Sequence, residues 1–369
     1  MAPSINDTPA SAMLRTWFAP VLEHGSEWCA PNLDTTLAFV RAGDHELPLT
    51  INDEQWDNSW FCSPFTHYIS YAQEEIVGAV GKVLGLPACL ILRALGPWLR
   101  RVDFNRVVMV NNWLMSTNPW PKIDASTLAP MVESLRLRWP GHALVFRSLT
   151  DGIDQGVIDA LRCAGARLIP SRQVWWFDHD SQAVKHATNW KRDVRLLRSP
   201  DLERVLHDDL IGDDFESLTQ LYHELYLGKY SRHNPAYTVP WLRHLWQHRL
   251  LKFTGLRQRG GELIGVEACG VVHGTMVSPV VGYSLRFPME LGLYRRLAAV
   301  PVVAAQEARV PLNLSAGVGR FKATRGGQPL MEYIAVLDAH LPASRRAPWH
   351  LIEVISREVL APLTQRWGL

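Results

Sequence analysis

Hydrophobic and polar positions along this chain follow two patterns. A short apolar run bounded by turn residues marks strands at residues 37–40 and 47–51, either side of Gly43-Asp44, and at 107–110, 143–146 and 173–177. It returns at 252–257 and 263–272, a hairpin across Arg259-Gly260-Gly261-Glu262, then at 276–285, 310–314 and 331–338. A period near 3.6 predicts helices at 66–83, 128–137, 153–164 (closed by Gly165), 190–198, 215–226, 241–250, 291–308 and 349–363. Pro301 is expected to kink the helix that holds it. Residues 1–35, rich in Pro, Ser, Ala and Asn, read as a loose arm. Polar residues 178–186 read as a boundary. The expected organisation is an arm at 1–35, a lobe at 36–180, a second lobe at 185–345 and a packing helix at 346–369. Strand–helix alternation over 100–178 gives an α/β class with a mixed sheet.

Composition narrows this picture. With 369 residues, 47% hydrophobic and 20% charged, the chain can bury a large core and fold. A net charge of +2 gives no reason to expect a polyanion through bulk charge. The 5 cysteines are far apart and form no C-x-x-C, which argues against a disulfide framework or a cysteine zinc site. His244 and His248 have metal-capable spacing, but no glutamate stands between them and no third ligand is evident, so no metal is expected. The apolar stretch 83–99 is interrupted by Pro87, Arg93 and Pro97 and falls short of the ~20 residues a membrane span needs. No basic-then-apolar leader opens the chain. The expectation is a soluble, reduced, cytoplasmic protein with no membrane partner.

Several stretches carry candidate chemistry. Residues 60–68 set Trp60, Phe61, His67 and Tyr68 beside Ser63 and Thr66. They form either a pocket wall or a packed helix start capped by Thr66. The polar and aromatic loop 111–121, with Asn112 and Trp113, is long for a connection. Glu267 sits mid-strand, where it must face water, a partner or a cleft. In a desolvated cleft its pKa rises and it can act as a base. Pro279 inside a strand marks a bulge or an edge. Tyr283 and Tyr333 are proton-transfer candidates, and Glu332 is expected to pair with Lys322 or Arg325. From Asn313 the chain reads NLSAGVGRFKATRGGQPLMEYIAVLD, in which small residues permit close backbone approach and Lys322 and Arg325 share a helical face. Its plainest reading is a strand, a solvated basic turn and another strand.

That last stretch, N-L-S-A-G-x-x-x-F-K-x-x-R-G-x-x-P-x-x-E-Y-x-A-V, resembles the carboxy-terminal signature of FemAB-like proteins of the GNAT acyltransferase superfamily, as does Gly292-Leu293-Tyr294-Arg295. The resemblance implies a GNAT-like fold: two tandem lobes, the first degenerate, with a mixed sheet opened like a V. It implies an acyl donor in the cleft and the amine of a small molecule as acceptor. Catalytic roles then fall to Glu267, Tyr283 and Tyr333. Donor binding falls to Ser278, Val280 and Gly282 on the bulged strand, and to Ser315, Gly317, Lys322 and Arg325. Substrate binding falls to His67, Tyr68, Asn112 and Trp113. The chain departs from acetyl-coenzyme A users at 285–292, where the glycines of the pyrophosphate turn are missing and Glu290 would repel phosphate. The donor is therefore an acyl-CoA held otherwise, an acyl-carrier thioester or an aminoacyl-tRNA, with no tightly bound cofactor. Lys191, Arg192, Arg195 and Lys322 are the candidate anion contacts. A catalytically silent GNAT-like binding protein is the alternative, and the tail helix hints at a homodimer.

Overall fold

A computed structural model describes residues 9–362, with backbone alone at 9, 77–80, 82–84 and 359. The chain folds as two compact units. The first holds residues up to Ser171 together with Tyr230–Ala236 and Glu332–Pro362; the second holds Arg172–Lys229 and Tyr237–Met331.

In the first unit α1 (Pro9–His24) precedes the hairpin β1 (Thr36–Ala42) and β2 (His45–Asn52), closed at Gly43-Asp44 with Ala42 opposite His45. A π-helical turn (Thr66–Tyr71) leads into α2 (Ala72–Arg101), followed by β3 (Val107–Val110), α3 (Ala125–Arg138), β4 (Ala143–Thr150), α4 (Gln155–Cys163) and the start of β5 (Arg167–Phe177). Period-two patterning sorts β3 and β4 onto two faces. Val108, Val110, Leu144 and Phe146 pack with Leu128 and Met131 of α3 and Ile158 and Leu161 of α4. Val107, Met109, Ala143 and Val145 pack with Phe65, Leu99 and Trp349.

The second unit holds α5 (Gln182–His186), α6 (Thr188–Leu197), β6 (Glu203–Val205), α7 (Asp214–His223), α8 (Val239–Gln247), β7 (Lys252–Arg257), β8 (Leu263–Val272) and β9 (Thr275–Tyr283). Then come α9 (Leu293–Ala308), β10 (Leu312–Asn313), α10 (Gly319–Ala323) and the start of β11 (Gln328–Leu337), after which α11 (Ala343–Ile355) belongs to the first unit. Thr238 caps α8, its hydroxyl accepting from the Trp241 N–H at 3.2 Å. Two glycines fix the packing. A Cβ on Gly282 would lie 2.5 Å from the Tyr222 nitrogen, so α7 rests directly on β9. Gly292 (φ 66°) starts α9, and a Cβ there would lie 2.7 Å from the Leu196 side chain.

The strand order is β1-β2-β3-β4-β11 in the first unit and β5-β10-β9-β8-β7-β6 in the second. Both contain the same run. In one, β3–α3–β4 gives a parallel pair and is followed by α4 and β5; in the other, β9–α9–β10 gives a parallel pair and is followed by α10 and β11. The fifth strand of each run is exchanged: residues 332–337 of β11 pair with β4, and residues 176–177 of β5 pair with β10. Two residues past the last parallel pair, each run places a serine in the left-handed region, Ser148 (φ 59°) and Ser315 (φ 58°).

The structure corrects several expectations. The boundaries drawn in chain order near 180 and 345 fall after β5 and β11, whereas the two compact units divide inside those strands, at Ser171 and at Glu332. Within the expected loose arm, residues 9–24 are helical, and Trp17 and Phe18 are buried against Trp113 at ring distances of 5.6 and 5.9 Å. The first eight residues and the end of the tail helix at 363 lie outside the described residues. The helix start at 64–66 is capped by Ser63, whose hydroxyl accepts from the Thr66 N–H at 3.0 Å, and not by Thr66. The helix expected over 66–83 ends at Gly81 (φ 77°, ψ 169°), where α2 breaks; a second helical segment continues to Arg101 through Pro87 and Pro97 and folds back on the first, the Cys89 thiol donating to the Gln73 carbonyl and Arg93 to the Gln73 side chain, each at 3.4 Å.

Candidate active site

The second unit's sheet forks. β9 and β10 pair only at Met276–Leu312 and Val277–Asn313, while β9 continues to Tyr283. Beyond Asn313 the chain turns to β5, the Leu314 N–H donating to the Trp175 carbonyl and the Trp175 N–H to the Ser315 carbonyl. The expected bulge lies where the strands part: Ala268 faces Val280 and Gly270 faces Val277, so Ser278 and Pro279 stand opposite Cys269 alone. Past the bulge the Ser284 N–H donates to the Ile264 carbonyl. The alternation of an antiparallel ladder then sends the N–H groups of Val281 and Tyr283 to the opposite, fork-side edge of β9.

Beneath the bulge lies Glu267, with no exposed surface. One carboxyl oxygen accepts from the Ser278 hydroxyl at 2.9 Å. The other has no nitrogen or oxygen partner among the described residues and lies beside the Cys269 thiol. Burial pushes the Glu267 pKa up to about 8, against the opposing pull of the Ser278 bond. The Cys269 thiol is pushed up as well, by burial and then by Glu267. Register pairs Glu267 with Val281 and Gly265 with Tyr283, which puts Glu267 and Tyr283 on the face that packs against α9. Tyr283 is half-buried, its ring 6.1 Å from Tyr294, and burial raises its pKa. Val280 and Gly282 face α7 instead, so their side-chain positions do not border the α9 side.

The 313–327 segment is built to hold itself. Asn313 accepts from the Ser315 N–H at 2.8 Å. Lys322, buried, donates to the carbonyls of Leu314, Ser315 and Ala316 at 2.7, 3.3 and 2.8 Å. Burial, then the Arg172 charge, lowers its pKa to about 7, while the carbonyl acceptors favour the charged form. Lys322 is therefore a structural pin and not the anion contact expected of it. Arg325 also turns inward. It lies over the Phe321 ring at 3.4 Å and shares the buried Asp193 with Arg295, whose bond is 2.7 Å. Asp193 on α6 thus replaces Glu332 as the expected ion-pair partner. The recess between these groups, lined by Phe177, Trp190, Val302 and Leu314, measures about 10 Å³, room for one water and not for an acyl group. Gly317 (φ 80°) has open space around its Cβ position. Lys191, Arg192 and Arg195 remain exposed on α6.

The remaining candidates, Tyr333, His67, Tyr68, Asn112 and Trp113, fall in the first unit. Tyr333 is opposite Leu149, packed against the α3/α4 core, its pKa raised by burial and then by Asp151. His67 packs against Trp60 at 5.3 Å and Tyr68 at 4.6 Å; Tyr68 continues onto Phe104 and Trp349. Asn112 donates to Thr50 and the Phe61 carbonyl, and the Trp113 indole donates to Asn111. Both are internal supports, not pocket walls as expected. The same loop closes over β4 past its last pair with β3: the Asn118 N–H donates to the Ser148 hydroxyl at 3.1 Å and the Trp120 indole to the Arg147 carbonyl at 2.7 Å.

No family model and no curated protein matches the chain. Among solved structures, L-PGS from Bacillus licheniformis aligns over 95% of this chain and 99% of its own, at 12% identity and a TM-score of 0.51. A tandem GNAT protein from the clavulanic acid biosynthesis pathway aligns over 92% and 98%, at 12% identity and a TM-score of 0.42. FemX aligns over 67% and 83%, at 9% identity and a TM-score of 0.47. Over almost the whole chain the fold is like that of L-PGS, a mixed sheet in which both units carry the same strand–helix run.

Proposed function

We propose that the chain is an N-acyltransferase whose chemistry runs in the β9/β10 fork, moving an acyl or aminoacyl group from a thioester or ester donor to the amine of a small molecule. The observation that carries this reading is the buried Glu267 carboxyl, with one oxygen on Ser278 and the other without a nitrogen or oxygen partner, directly under the bulge. The amine nitrogen attacks the donor carbonyl carbon and the bond to the leaving sulfur or oxygen breaks. Glu267 has no exposed surface, so the amine's proton passes through the half-buried Ser278 hydroxyl to the carboxylate. The leaving group takes its proton from Tyr283. The Val281 N–H, directed into the fork, meets the developing oxyanion, a donor typically worth about 2.7–4 kcal/mol.

Donor choice follows from the turn before α9. Glu290 and Met289 are exposed there, and the glycine spacing for a pyrophosphate is missing. Exposed Lys191, Arg192 and Arg195 on α6 are the cations left to meet donor phosphates, from coenzyme A, a carrier-protein arm or tRNA. The test is incubation with acetyl-CoA, a longer acyl-CoA, an acyl-carrier-protein thioester or an aminoacyl-tRNA, each with a panel of small amines, read by mass spectrometry. Consumption of one donor, lost in Glu267→Gln and Tyr283→Phe while ligand retention persists, supports transfer. Retention without consumption supports a silent binding protein instead. Silence with every donor removes the acyltransferase reading.

A further inference from the structure

Helix α2 carries a surface that the fork does not explain. Its inner side is anchored: Leu92, Leu95, Trp98 and Leu99 pack with Phe65 and Trp349. Its outer side leaves Leu86, Leu90 and Ile91 at 57%, 65% and 63% exposure. Contiguous apolar side chains left in water at this level mark an interaction surface. At about 100° per residue, Leu86, Leu90, Ala94 and Pro97 fall in one arc with Arg93 and Arg101, and Ile91 lies about 60° beyond it, toward Trp98. Arg93, Ala94, Pro97 and Arg101 are also exposed. From residue 76 to residue 102 the sequence holds Lys82, Arg93, Arg100 and Arg101 and no Asp or Glu. The fold-back at Gly81 brings Gln73 to Arg93 at 3.4 Å, while the neighbouring acids are engaged elsewhere, Glu75 by the Tyr71 hydroxyl at 2.6 Å and Glu74 by His233 at 3.4 Å.

We propose that the outer face of α2 is a docking face for an anionic lipid bilayer surface. The mixture of bulky aliphatics and arginines on one face of a helix is what such a surface takes. The aliphatics enter the acyl boundary while the guanidinium groups reach back to headgroup phosphates. A second copy of this chain fits less well, because a symmetric contact would set one cationic face against another. Among the described residues no helix is long and apolar enough to cross a membrane. Surface docking revises the expectation of no membrane partner, and it does not depend on the chemistry assigned to the fork.

The test is flotation of the full chain with vesicles of phosphatidylcholine alone or mixed with phosphatidylglycerol. The expected result is binding to the anionic vesicles only, weakened several-fold between 50 mM and 500 mM salt. Leu90→Ser with Ile91→Ser, and separately Arg93→Glu with Arg101→Glu, are each expected to lower it about tenfold. These residues are exposed, so circular dichroism and sizing should match the parent chain. Failure to bind anionic vesicles, or binding that neither pair changes, overturns the proposal. So does a concentration-dependent dimer that Leu90→Ser with Ile91→Ser dissolves, which would give the face to a second copy.

Discussion

Glu267→Gln separates a strained carboxyl from an ordinary one. The glutamine keeps the volume and can still accept from Ser278, but has nothing to ionise. In the parent protein the folded-state pKa of about 8 stands above the ordinary 4.5, and burial is the main cause. Below pH 4.5 the carboxyl is protonated folded or unfolded, and its contribution to stability is fully present. Between the two values the folded chain holds a proton that the unfolded chain has released, so stability falls as pH rises, by about 1.4 kcal/mol per unit. Above pH 8 both states are ionised and the loss is complete. Over the window from pH 5 to pH 9 the loss amounts to about 4 kcal/mol. Urea unfolding of both proteins at pH 5, 7 and 9 measures it as the growing advantage of the variant. A stability difference that is the same at pH 5 and pH 9 would falsify the strained carboxyl and, with it, the base assigned to the fork.

The same titration should appear in kinetics: with any donor that is turned over, kcat/KM should rise through an apparent pKa near 8 and Glu267→Gln should be flat and inactive. Asp193→Asn leaves two guanidinium groups around a neutral amide and should lower stability by about 3 kcal/mol, read by urea denaturation; a loss within 0.5 kcal/mol would mean the ion pairs are ornamental. Gly282→Ala drives a methyl group to 2.5 Å from the Tyr222 nitrogen, where only backbone movement can relieve it, and should cost about 1–3 kcal/mol in thermal unfolding. An unchanged melting temperature would show that α7 does not rest on β9 as described.

Much of the sheet was legible because its central strands are short apolar runs buried on both faces, and Pro279 alone located the bulge. Glu267 was legible too, since a carboxylate among Ile264, Val266 and Ala268 needs a reason. Burial of polar groups was not. Lys322 and Arg325 read as one solvated cationic face because spacing reports direction along a helix and not which way the helix is turned. Asp193 was masked by the basic residues around it, although it is the one carboxylate on that helix and the likeness to the signature's two arginines is purely spatial. Asn112 and Trp113 looked like binding groups because a polar aromatic loop gives no sign that its amides are satisfied from within. Helix α1 was hidden by Pro and Ser, and the Trp17-Phe18 pair was its only clue. The repeat was illegible because Ser148 and Ser315 correspond through backbone conformation, while the residues around them differ.

The exchanged strands set a timetable for synthesis. β4 is complete at Thr150, but the residue that pairs with it, Glu332, is made 182 residues later. At ribosomal rates of about 5–20 residues per second, that edge waits roughly 10–40 s for its partner. An unpaired edge in a nascent chain is where another chain can add. A chain released before β11 would keep that edge open for good, so the first unit cannot mature until synthesis has passed Leu337.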